Sequence, residues 1–258
     1  MRSDLSSLPL GAISVTMLGA FCTLAVLLLA GRRSLMSMLG IEGPTYSSLY
    51  QGAVRWNGFI ALPILAKLYG TEGVALVAVI IGILIPLSNI LAVYVVTRNA
   101  HNTASLGQTA HIAFRNPFIW ATLLGAAINL AGIPVYGPLL TTLNMLGSAA
   151  IAAGLLTIGA GLSTREALKP SATAWISSML KLVGMPILVI AWSLLTGLSG
   201  VAFVACVVCA AVPTAMSAYV MAKQMGGDAP VMAVIVTLQT ALSFVTIAIL
   251  INIAQALQ

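Results

Sequence analysis

The sequence predicts an all-α integral membrane protein with about eight transmembrane helices. Three observations predict it. Sixty per cent of the 258 residues are apolar and only 6% are charged. A soluble domain carries about 25% charged residues, so the few here cannot cover a water-facing surface of this size. The apolar residues also come in runs of the roughly 20 residues that a helix needs to cross a bilayer. Finally, the runs are continuously apolar and lack the period-two alternation of membrane β-strands. The same composition excludes a soluble enzyme, a nucleic-acid-binding domain and a disordered chain. The net charge is +6, but the basic residues lie singly between apolar runs and form no stripe that could track a phosphate backbone.

The first run, 8–30, is too long for a signal-peptide core and has no small-residue cleavage site after it. GRR at 31–33 closes it. The second, 48–68, ends at YGTEG (69–73), and the third is 73–97. RNAHNTASLGQTAHIAFRN at 98–116 is the longest polar stretch and divides three segments from five. Segments 117–136 and 138–162 follow, and Gly147, Ala149, Ala150, Ala152, Ala153 and Gly154 in the latter permit close helix approach. TREALKP (164–170) precedes segment 172–196, TGLSG (196–200) precedes 199–222, and KQMGGD (223–228) precedes 229–255. Trp56 and Trp175 read as interface anchors. Cys22, Cys206 and Cys209 sit inside apolar runs. With no acid or histidine near it in sequence, CVVC at 206–209 reads as small buried side chains, so no metal is expected.

Basic residues set the orientation. Arg32, Arg33, Arg98, Arg115, Arg165, Lys169 and Lys223 fall in or beside the loops after segments one, three, five and seven. The opposite loops hold Glu72 and no base apart from Lys67 at a helix end. The positive-inside rule puts the first set in the cytoplasm and both termini outside.

An internal repeat appears at an offset of 156. AKLYGTE at 66–72 overlies AKQMGGD at 222–228, pairing Ala66 with Ala222, Lys67 with Lys223 and Gly70 with Gly226. An odd number of crossings separates the copies, so they run in opposite directions, a construction of many secondary transporters. At this offset Pro213 overlies Asn57 and Thr214 overlies Gly58. A mid-segment proline removes a backbone donor and clashes with the preceding turn. Asn57-Gly58, with Pro63 following, is also a poor helix interior. Segments two and seven are thus the best placed to be discontinuous. Broken backbone at membrane depth survives only where protein or a water-filled cavity satisfies it. A half-helix starting after Pro213 would offer free N–H groups to an anion. An ordinary packed proline kink is the plain alternative.

All five acids, Asp4, Glu42, Glu72, Glu166 and Asp228, lie in loops or tails. This argues against a carboxylate proton relay, a two-carboxylate hydrolase and aspartyl proteolysis within the membrane. His101 and His111 fall in the long polar loop, and no HExxH, Walker-type loop or Ser–His pair is present; no enzymatic activity and no cofactor are expected. The polar candidates inside segments are Arg55, Asn57, Asn89, Asn129, Asn144, Lys181, Thr214, Gln239, Thr240 and Ser243. Lys181 either snorkels to the cytoplasmic surface or faces inward as a counter-charge for an anion. Interhelical hydrogen bonding is the plain account of Gln239, Thr240 and Ser243.

WNGFIALPILAKLYGTEG (56–73) and AAVPTAMSAYVMAKQMGGDAPVMAVIV (210–236) resemble the signatures of the auxin efflux carrier family of permeases. The stretch from Asn116 to Leu162 resembles the first two helices of that family's second repeat. The resemblance implies two inverted five-helix repeats, each with two scaffold helices and three transport-domain helices, the fourth helices being broken and crossing at the substrate site. It assigns 1–97 and 163–258 to the transport domain, 98–116 to a cytoplasmic loop and 117–162 to the scaffold. The family's first two helices have no counterpart, so a misassigned start, a truncated gene or a completing partner is expected. The implied function is elevator-like transport of a small organic anion, a carboxylate, across the cell membrane. Asn57, Gly58, Pro63, Pro213, Thr214, Gln239 and Lys181 are the expected substrate-binding residues. A homodimer through the scaffold helices is compatible with the family. The alternatives are a sodium-coupled symporter of bile-acid-transporter type, using Gln239, Thr240 and Ser243, and a truncated permease subunit that does not transport.

The orientation has a direct test. A single cysteine placed at Ser105 should react with a membrane-impermeant thiol reagent only after the membrane is opened, and labelling of intact cells would reverse the assignment.

Overall fold

The computed structural model describes residues 9–100, 131–146 and 170–257, with Trp120, Leu124, Gly125, Ala127, Ile128 and Ala149 between them. Among the described residues every regular element is helical. In chain order these are α1 (Leu10–Ala30), α2 (Arg32–Leu39), α3 (Gly43–Val54), α4 (Gly58–Ala100), α5 (137–146), α6 (Ala172–Met179), α7 (Met185–Thr196), α8 (Gly200–Ala211), α9 (Ser217–Met225) and α10 (Ala229–Leu257). Leu10–Ala30, Gly43–Ala100, Ala172–Thr196 and Ala229–Leu257 are long and apolar enough to cross a membrane, and Gly200–Ala211 is a shorter apolar helix.

The stretch Gly43–Ala100 is not one rod. The helix stops at Val54, restarts at Gly58 and reverses at Gly70, whose φ of 57° and ψ of −133° lie outside any helix. The arms of α4 on either side of Gly70 pack antiparallel. A Cβ on Gly73 would run into the Leu65 carbonyl, and one on Gly58 would lie 3.3 Å from Ile81. The equivalent position in the second half is Gly226, also left-handed at φ 80°, between α9 and α10. A helix pair followed by a long returning helix therefore occurs twice, as α3–α4 and as α8–α9–α10.

Two elements depart from the sequence reading. Segment two begins at Gly43 rather than at 48, because Tyr46, Ser47, Ser48 and Gln51 dilute its hydropathy yet are buried. Trp56 is no interface anchor; it is 6% exposed in the core, whereas Trp175 is 43% exposed. In segment four the backbone turns at Ala131–Gly132, with Gly132 left-handed, before the predicted end at 136. Beyond Ala100 the polar loop, and most of segments 117–136 and 138–162, lie outside the described residues.

Small residues set the closest approaches. The Trp192 ring on α7 lies against Gly19 of α1, where any Cβ would collide, and its Nε1 donates to Thr23 Oγ1 at 3.2 Å. At one end of the bundle Asp228 caps α10 by accepting from Val231 N (3.1 Å) and accepts from Thr45 Oγ1 (2.7 Å). Its carbonyl accepts from Ser48 Oγ at 2.9 Å. At that same end Arg32 donates to Asn99 Oδ1 (2.7 Å) and lies over the Tyr46 ring. Cys206 and Cys209 are buried on α8.

Gly70 and Gly197 offer a matched comparison. Gly197 (φ 66°, ψ 22°) sits in the left-handed helical well with open space around its Cα, a conformation that Asn tolerates. The Gly70 conformation is essentially reserved for glycine. Gly70→Ala should lower stability by about 1–3 kcal/mol, and Gly197→Asn should cost less, as read from melting in the same detergent.

Candidate functional site

The two interruptions meet. Pro213 bars the residue before it from helical geometry, and Val212 is extended at φ −66° and ψ 148°. The chain then runs open from Pro213 to Met216 before α9 starts at Ser217. In the first half the break is made without proline. Arg55 is extended at φ −75° and ψ 154°, and Asn57 caps the restarted helix by accepting from Phe59 N with its Oδ1 at 3.1 Å.

A helix leaves its last four carbonyls without partners, and in hydrocarbon no water can supply them. Here one of them, the Gly52 carbonyl, is met from the second half of the chain. Thr214 Oγ1 donates to the Gly52 carbonyl (2.7 Å) and approaches that of Arg55 (3.3 Å). Gln239 Nε2 on α10 also donates to Gly52 O at 2.9 Å. Its Oε1 in turn accepts from Thr214 N at 2.9 Å. Gly52 is what lets these backbones meet, since a Cβ there would strike Ser177 Oγ of α6 and Ile235 of α10.

Beside this knot lies Arg55, 5% exposed. One guanidinium nitrogen donates to Asn89 Oδ1 (2.9 Å) and Ser217 Oγ (2.8 Å), and the other approaches Met221 Sδ at 3.3 Å. These partners are all neutral. Ser217 opens α9, so the guanidinium lies at the positive end of that helix dipole, and Asn57-Gly58 opens the first arm of α4 nearby in the chain. Around the rim Asn57, Gly58, Ala215, Met216 and Ser217 are half-buried, while Pro213, Thr214 and Gln239 are closed off.

Of the residues the sequence singled out, Asn57, Gly58, Pro213, Thr214 and Gln239 come together at the crossing. Pro63 does not; it lies exposed on the first arm of α4. Lys181 is 1% exposed and faces a small cavity beside the crossing, so it does not snorkel. Thr240 and Ser243 bond back to carbonyls of their own helix (2.7 Å each), and Gln239 is engaged by Thr214 and Gly52. Among the described residues no group of His, Cys, Asp and Glu could hold a metal ion. Arg55, Asn89 and Ser217 join the residues at the crossing, and the first two stand out in the sequence as polar residues in apolar segments. The signal for Arg55 was the arginine itself, since a charged side chain at membrane depth is expensive and marks function by default.

Gln239 carries a testable load. Gln239→Leu leaves Thr214 N–H without its acceptor and removes one donor from Gly52 O. Each buried orphan costs about 1–3 kcal/mol, so melting should fall accordingly. Combined with Thr214→Val the losses should be non-additive, because both act on the same carbonyl.

Residues 56–251, which begin inside the first break and contain the whole of the second, match the family described as membrane transport protein. Over 257 residues the chain is 28% identical to a protein called an uncharacterized transporter from Methanothermobacter thermautotrophicus, covering 95% of this chain and 78% of that one. With both crossing motifs and most of its length inside that match, the chain belongs to the membrane transport protein family and is a multi-pass membrane protein of the auxin efflux carrier type.

Proposed function

We propose that the chain serves as a secondary transporter of a small organic anion, a carboxylate, rather than as an enzyme, and that the anion docks at the rim of the helix crossing. One observation carries this reading: Arg55 is buried at the opening of α9, and its partners among the described residues are all neutral. A buried positive charge without an acid is costly, and helix N-termini add to the positive potential. A cargo carboxylate is the complement. It would replace water at the half-buried N–H groups of Ala215 to Ser217 and at the Asn57 amide, and accept from the guanidinium.

On this reading 1–97 and 163–258 form the transport domain, which shifts against a scaffold of 117–162 in an elevator-like step, with the scaffold helices available for a homodimer. The location is the cell membrane.

The test is thermal stabilisation of purified protein by a panel of monocarboxylates, dicarboxylates and aromatic acids. A true cargo at about 100 times its Kd should add about 2.7 kcal/mol. Arg55→Gln should weaken that cargo about tenfold or more, because a hydrogen bond to a charged group contributes about 1.5–3 kcal/mol. Asn57→Ala should lower stability by about 0.5–2 kcal/mol through its lost cap and weaken the cargo as well. A protein that no organic anion stabilises, or an Arg55→Gln variant with unchanged affinity, would remove the reading.

A further inference from the structure

We propose that Lys181 and Trp56 hold a halide-sized monovalent anion in the small cavity beside the crossing, a site separate from the rim where the organic anion docks. The cavity is walled by Phe21 of α1, Leu84 of α4, Met185 of α7 and Cys209 of α8, with Trp56 from the first break and Lys181. It holds about 10 Å³, room for one water-sized occupant. Its wall is apolar except for Lys181, Trp56 and the Cys209 thiol.

Two of those groups, Lys181 and Trp56, can only donate. Trp56 is 6% exposed, and among the described residues its Nε1–H has no acceptor. An indole N–H can only donate, and a buried one ordinarily finds a partner. Lys181, 1% exposed, brings three more N–H groups and a charge, and among the described residues its ammonium makes no hydrogen bond or ion pair. A water molecule could accept from both, but its own hydrogens would then find only the Cys209 sulfur, a weak acceptor. A monatomic anion accepts from both and neutralises the ammonium, which in this setting needs a counter-charge. An organic carboxylate is too large for the space.

The backbone is shaped for this. Pro186 lacks an N–H, and its ring would clash with the carbonyl four residues back in a regular helix. The chain widens instead into a π turn over Leu180–Gly184, with Met185 N reaching back to Leu180 O. Lys181 sits in that turn, and π turns recur at functional sites. The cavity wall also joins both breaks, through Val54 and Trp56 on one and Cys209 and Ala210 on the other, so its occupant would bear directly on the crossing.

The experiment compares melting of the purified protein in sodium chloride, bromide and gluconate at equal ionic strength, with no organic anion added. Chloride and bromide should raise the melting temperature saturably over gluconate. Lys181→Gln should abolish the difference. Trp56→Phe, which keeps an aromatic ring in the wall, should weaken chloride about tenfold through the one lost charge-assisted bond; it carries the test if Lys181→Gln does not fold. Bromide located crystallographically in the cavity by anomalous scattering would support the assignment. Melting that ignores the identity of the anion, or a chloride effect equal in wild type and Trp56→Phe, would overturn it, and neither result depends on whether a carboxylate is the cargo.

Discussion

A lipid bilayer offers no hydrogen bonds to a peptide group, and the rest of this molecule is arranged around that constraint. Two helices stop halfway across. Each stop exposes carbonyls on one side of the gap and N–H groups on the other. The first gap's carbonyls are met by a hydroxyl and an amide from the second half of the chain, through Thr214 and Gln239 on Gly52. That exchange requires the two gaps to touch, and a glycine at 52 leaves room for Ser177 and Ile235 to pack against the same spot. The N–H groups on the far side of each gap are left towards the half-buried rim, and it is there that the chemistry of a cargo has room.

The two halves make the same shape from different residues. One break is enforced by Pro213; the other rests on the Asn57 cap and a glycine. One turn is the unusual Gly70 conformation, the other an ordinary left-handed Gly226. Charge follows the same asymmetry: Arg55 lies beside the first break, whereas Ala211 stands at the position 156 residues on. The pseudo-symmetry therefore belongs to the backbone, and polarity breaks it. Asp228 ties α10 to the start of α3, while Glu72, its counterpart in the repeat, is exposed.

How much of this could be read from sequence depends on how local the cause is. Breaks at Asn57-Gly58 and Pro213 were legible, because proline and an Asn-Gly pair act on their own backbone. The Gly70/Gly226 match was legible for the same reason. The start of segment two was not. Ser48 and Thr45 look like loop residues until Asp228, 180 and 183 positions later, accepts from Ser48 through its main-chain carbonyl and from Thr45 through its carboxylate. Trp56 resembles an anchor because sequence carries no depth coordinate. Gln239 also ties Thr214 to Gly52, a bond invisible in sequence because its partner lies 187 residues earlier. Lys181 could have gone either way until the π turn before Pro186 aimed it inward.

Arg55 has a consequence for synthesis. The chain emerges and enters the membrane from its N-terminus, and segment two arrives carrying an arginine that costs about 2.5–3.5 kcal/mol at the centre of a lone inserted helix. Asn89 follows one segment later and can take one of its hydrogen bonds. Ser217 and Met221 come only 162 and 166 residues downstream, five segments on. Until the ribosome has passed them, the first half of the protein holds a half-satisfied charge and a helix end whose carbonyls have no donors. Its final packing can therefore form only after translation of the second half is nearly complete, and biogenesis, like the crossing itself, is a joint property of both repeats.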